Sequence, residues 1–113
     1  MHAKFIVAWQ SISEEVAHNA IKKGWYDRDR SEAEMIALIH SELSEALEAF
    51  RDPDPGKPDK HCPNYSAAEV EMADAVIRIM DMGMSKGLRI GEALIDKMQF
   101  NKTRPYRHGG KRF

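Results

Sequence analysis

With 113 residues, 42% of them hydrophobic and 31% charged, the chain has room for one domain, residues 1–113, of ordinary soluble composition. A formal net charge of -1 gives no general attraction to nucleic acid or to an anionic membrane. The single cysteine, Cys62, rules out an intrachain disulfide and points to a reducing cytoplasm.

Residues 1–9 contain a short apolar run that soon turns polar, too short for a signal-peptide core. No apolar stretch of about 18 residues occurs, so no membrane span is expected. Ala, Glu, Met, Leu and Ile dominate, and alternating β-branched runs are missing, which predicts an all-α fold. A first helix is expected from Ala3 to about Lys23, with Lys22 and Lys23 in its last turn and Gly24 as its stop. Residues 25–30 form a loop carrying Trp25. Ser31 followed by Glu34 makes a capping box that opens a second helix reaching about Phe50. Four of the five prolines, at positions 53, 55, 58 and 63, then enforce an irregular loop to Tyr65.

A second capping box, Ser66 with Glu69, opens a third helix that reaches about Lys86 and stops at Gly87. A fourth helix is expected from about Ile90 to Lys102, ahead of Arg104-Pro105. The remainder, residues 106–113, carries Gly109-Gly110 and reads as an extended or mobile tail. From Lys97 onward there are six Lys and Arg residues and no Asp or Glu. A basic end beside an acidic middle suits a site that meets anions.

At about 100° per residue, Met35, Ile39, Leu43, Ala46 and Phe50 share one arc of the second helix. Glu42 falls inside that arc and Glu45 at its edge. A carboxylate on a core-facing surface costs several kcal/mol unless a basic partner or a metal compensates it. On the third helix, Val70, Ala73, Ile77, Met80 and Met84 form one apolar face, and Met72, Val76, Ile79 and Gly83 another. Between them runs a polar stripe: Glu71, Asp74, Arg78, Asp81 and Ser85. A helix with two apolar faces and acids in the groove between them is no ordinary surface helix. Arg78 is expected to balance Glu71, Asp74 and Asp81, pairing with Asp81 in particular.

Each acid pair is spaced i, i+3, hence on one helix face. Two such pairs on antiparallel neighbours would set four carboxylates around one point. Such hard oxygen donors suit Mg²⁺ or Mn²⁺, and with no convergent His or Cys, zinc is disfavoured. A di-iron bundle would need two Glu-x-x-His motifs and two further Glu, and only Glu15-Val-Ala-His18 fits. Taken singly, Glu-x-x-Glu on a helix is usually a solvated face. It is the intrusion of both pairs on apolar faces that favours a metal.

The pattern Glu42-Leu-Ser-Glu45, a spacer of 25 residues, then Glu71-Met-Ala-Asp74, resembles the signature of the MazG-like all-α nucleoside triphosphate pyrophosphohydrolases, a superfamily that includes dimeric dUTPases and dCTP pyrophosphatases. The segment Lys97-Met-Gln-Phe-Asn101-Lys-Thr-Arg104-Pro extends the likeness, which covers most of the chain from about Gly24. The resemblance implies an antiparallel bundle of about four helices, assembled as a homodimer or homotetramer. It implies Mg²⁺, or Mn²⁺, on Glu42, Glu45, Glu71 and Asp74, the same acids serving catalysis by activating water for attack on the α-phosphate. The products would be a nucleoside monophosphate and pyrophosphate. Lys97 is assigned to phosphate, Asn101 to sugar or phosphate and Arg104 to a second phosphate contact.

Trp25, 17 residues before Glu42, lies near where relatives carry a Trp that stacks on the base, and stacking suits any base. Trp9 and His18 are lesser candidates for that pocket, and His40 is expected to face solvent. Arg107, His108 and Lys111 would close over a neighbouring subunit's site. No Ser-His-Asp pattern, P-loop or Gly-rich dinucleotide turn competes with this reading. The alternative is a non-catalytic helical oligomerisation or nucleotide-sensing module that keeps the fold.

Overall fold

The computed structural model describes residues 2–106. Among the described residues there are four helices and no strand: α1 (Ala3–Lys22), α2 (Glu32–Arg51), α3 (Ala67–Lys86) and α4 (Ile90–Lys102). None of the four is long and apolar enough to cross a membrane. The expectations for Arg107, His108 and Lys111 lie outside the described residues.

Local chemistry sets the helix boundaries. Ser66 Oγ accepts from the Glu69 amide at 3.2 Å, and the Glu69 carboxylate accepts from the Ser66 amide at 3.0 Å, so two of the first turn's orphan donors are satisfied. The box expected at Ser31 forms by half. Ser31 Oγ accepts from the Glu34 amide at 3.1 Å, but the Glu34 carboxylate turns to Arg28 at 2.9 Å. An exposed guanidinium within reach outbids a neutral backbone donor for that carboxylate. Gly87 ends α3 at φ 66° and Gly24 follows α1 at φ 83°, left-handed positions that a side chain would strain.

The proline-rich segment between α2 and α3 is tied back on itself. The Asp59 amide donates to Tyr65 O at 2.9 Å and the Ala67 amide to Lys57 O at 3.1 Å. The Asp59 carboxylate accepts from the amides of His61 and Cys62, both at 2.9 Å. Those amides, Cys62 foremost, hold the Asp59 carboxyl below its ordinary value.

α3 lies against both α1 and α2, and α4 packs on α1. Met35 meets Ser85, Glu42 meets Arg78 and Glu45 meets Glu71, so α2 and α3 run antiparallel. Gln99 meets His2, and a Cβ on Gly91 would lie 2.8 Å from Trp9 Cδ1, so α1 and α4 are also antiparallel. Trp9 thus packs on a helix start, which makes it a structural residue here; Phe5 tilts against its ring at 5.9 Å.

The enclosed apolar side chains are few: Met35, Ile39, Ala46, Ala68 and Ala75. Two members of the expected core arc are exposed instead, Leu43 at 49% and Phe50 at 57%. Periodicity says which face of a helix is apolar, but α3 is the main neighbour of α2, and the edge of the arc has nothing over it. Both apolar faces of α3 are likewise only partly covered, with Met72, Val76 and Ile77 exposed, and its most buried positions are the small residues Ala68, Ala75 and Gly83.

Candidate functional site

The α2–α3 contact brings three of the four predicted acids together. Glu42, Glu45 and Glu71 each offer a carboxylate oxygen, and the three oxygens lie within 4.8 Å of one another. Glu42 is buried, Glu71 half-buried and Glu45 exposed, so the cluster opens from the helix interface to solvent. Asp74 stands one turn beyond Glu71, half-buried, and feels the charges of Glu42 and Glu45.

The electrostatics match that crowding. Burial, then a hydrogen bond with Glu45 and its charge, then Glu42 and Asp74, push the Glu71 carboxyl up to about 7. Asp74 is raised as well, by burial first and by Glu42 next, with Arg78 opposing. Like charges this close favour either a shared proton or a cation. The donors are oxygens only, and no His or Cys joins them among the described residues. That set suits a hard ion such as Mg²⁺ or Mn²⁺ better than zinc, which favours nitrogen and sulfur donors.

Beside the acids opens a cleft of about 240 Å³ lined by Trp25, Glu42, Asp74, Ile77, Arg78 and Asp81. Trp25, 40% exposed, is held by its own loop: its carbonyl accepts from Arg30 Nε at 2.9 Å. The Arg30 carbonyl in turn accepts from Lys86 Nζ at 3.0 Å, which ties the loop to the end of α3. The guanidinium carbons of Arg30 and Arg78 lie over the indole, 5.0 and 5.1 Å from its centroid. A second, more apolar groove of about 440 Å³ flanks the acids, lined among others by Tyr65, Val70, Ala73, Asp74 and Ile77.

Arg78 balances Asp74 as expected, but its expected pairing with Asp81 is corrected. Arg78 donates from Nε to Glu42 Oε1 at 2.8 Å, and Asp81 accepts from the Tyr26 hydroxyl at 2.7 Å. Both partners lie off α3, which is why spacing along α3 alone pairs the residues wrongly. Tyr26 is missed for the same reason, its one clue being its place beside Trp25. Burial first, with Asp81 adding to it, raises the Tyr26 hydroxyl above its ordinary value.

The basic group on α4 is not gathered into the site. Lys97, Asn101 and Arg104 do not line the cleft, and Lys97 instead lies over the Phe100 ring at 4.6 Å. His40 is exposed, as the helix geometry expects. Compared with known protein families, curated proteins and solved structures, the chain matches none.

Proposed function

We propose that the chain is a MazG-like pyrophosphohydrolase that cleaves a nucleoside triphosphate to monophosphate and pyrophosphate with Mg²⁺, or Mn²⁺, in the cytoplasm. The observation that carries this is the convergence of Glu42, Glu45 and Glu71 from two helices, with Asp74 one turn on, beside a cleft walled by Trp25. The bound ion would supply charge neutralisation for the triphosphate and a more acidic water. Phosphoryl transfer asks mainly for positioning and electrostatics, so no nucleophilic side chain is needed. Glu42 and Glu71, the less exposed members of the cluster, would hold the ion together with Glu45. Glu45, at the solvent-facing edge, is placed to orient water and to accept its proton. Trp25, at the cleft wall, would stack on a base in place of a guanidinium that now lies over its ring.

Lys97, Asn101 and Arg104 serve the phosphates only from a second copy of the chain, because within one copy α4 packs on α1. A homodimer or homotetramer is therefore part of the proposal. The exposed stripe Ile36, Leu43, Leu47 and Phe50 on α2 suits the interface. A non-catalytic nucleotide sensor is the competing reading, favoured by one observation: Arg78 already neutralises Glu42.

Pyrophosphate release over a panel of ribo- and deoxynucleoside triphosphates with Mg²⁺ separates the two. Turnover of at least one nucleotide, abolished by EDTA, is expected. Glu42→Gln should slow it by about 10²-fold or more without unfolding the chain. A preparation that binds Mg²⁺ and turns over no nucleotide would favour the sensor.

A further inference from the structure

Arg78 stands between the acid cluster and Trp25. Its Nε is committed to Glu42 at 2.8 Å, and its guanidinium carbon lies 5.1 Å from the indole centroid. Its two terminal nitrogens make no hydrogen bond among the described residues, although the side chain is only 26% exposed and lines the cleft. A guanidinium is charged at any working pH and presents a planar fork that matches phosphate oxygens two at a time. The two terminal nitrogens of that fork are unengaged among the described residues, and the residue that carries them lines the cleft beside the acids.

Glu42 is the most buried carboxylate of the cluster, and Arg78 is its counter-ion. A divalent ion on the same carboxylate would sit beside the guanidinium, two like charges at short range in a part-buried site. A triphosphate arriving with the ion reverses that balance, because its oxygens attract both cations.

We infer that Arg78 occupies the metal's place at Glu42 until a triphosphate arrives, and then transfers its guanidinium to the phosphates, so that metal and triphosphate bind cooperatively. The inference rests on the metal-site reading above and adds a substrate-binding residue to it. The swing is short, since the side chain already lies over Trp25 and along the cleft. Ion binding without triphosphate is weakened by Arg78, and triphosphate binding is strengthened by it.

The two opposite signs make the test. Mn²⁺ alone, and inorganic tripolyphosphate at saturating Mn²⁺, are titrated by calorimetry into the full chain, Arg78→Gln, Arg78→Lys and Glu42→Gln, with helical circular dichroism as the check on folding. Arg78→Gln should bind Mn²⁺ about tenfold tighter and tripolyphosphate about tenfold weaker. Arg78→Lys keeps the charge but not the fork, so Mn²⁺ affinity stays near the parent's while tripolyphosphate weakens. A merely structural Arg78 would loosen both ligands on removal, and that result overturns the inference. So does unchanged tripolyphosphate affinity in either variant; if Arg78→Gln does not fold, Arg78→Lys decides alone. Absence of Mn²⁺ binding in both the parent and Glu42→Gln would instead remove the metal site, and the inference with it.

Discussion

The carboxylate oxygens of Glu45 and Glu71, on facing helices, lie within 4.8 Å of each other, and that crowding, on top of burial, favours a proton on Glu71. The Glu71 carboxyl, raised from 4.5 to about 7, keeps that proton in the folded chain after the unfolded chain has lost it. Between those values the folded state binds more protons, so metal-free stability falls as pH rises through the window. Asp59 and Glu69, both held low by backbone amides, act in the opposite sense at more acidic pH. Melting temperature without metal should therefore peak near pH 5 and decline toward pH 7. Mg²⁺ should raise it more at pH 8 than at pH 5.5, because the ion competes with the proton. A melting temperature flat from pH 5 to 8 without metal would contradict the crowded arrangement.

Association is expected from the α2 stripe. Leu47 is 58% exposed and stands on the same side of α2 as Leu43 and Phe50. Leu47→Glu should reduce the mass seen in sedimentation or light scattering to that of one chain. Because so little apolar side chain is enclosed within a single copy, its melting temperature should fall too, and the parent's should rise with protein concentration. A parent chain that sediments as a monomer at every concentration would rule the assembly out.

Gly91 is where α4 meets α1. A methyl group there would press on Trp9 Cδ1 at 2.8 Å, with Trp9 Cγ at 3.0 Å. Gly91→Ala should cost about 1–3 kcal/mol in chemical denaturation, the usual range for overpacking. Indole fluorescence should report a displaced Trp9 in the same experiment. Stability equal to the parent's would show that the two helices can separate freely.

Ser66→Ala removes the acceptor for the Glu69 amide and the hydroxyl that Glu69 holds at 2.9 Å. The loss should be about 1 kcal/mol, as for other helix caps. Ser31→Ala should cost less, since Glu34 has already left its box for Arg28. Equilibrium urea unfolding of the two variants, run together, compares them directly.

What was legible in the sequence is what depends on near neighbours along the chain. The prolines at 53, 55, 58 and 63, the Ser66 cap and Gly87 act within a few residues of themselves, and the four helices fall within about two residues of expectation. The meeting of Glu42, Glu45 and Glu71 was legible because i, i+3 pairs share a face and short bundles run antiparallel. The partners of Arg78 and Asp81 were not, because the pattern along α3 is silent about what α2 and the Trp25 loop place opposite. Leu43 and Phe50 were misread as core for a related reason: an apolar arc records a need for cover, and the covering surface can belong to another molecule.

The small residues Ala68 and Ala75, buried on α3, carry a consequence for ion choice at the proposed metal site. Interaxial distance depends on the side chains at the contact, so this strip sets how near α3 approaches its neighbours. The gap between Glu71 and the α2 carboxylates then depends on the scaffold as well as on the acids themselves. A narrow gap suits oxygen contacts of about 2.1 Å, as Mg²⁺ demands, over the roughly 2.4 Å that Ca²⁺ accepts. If the proposed site holds the smaller ion, methyl groups added at Ala75 would act as spacers and shift its calliper toward the larger.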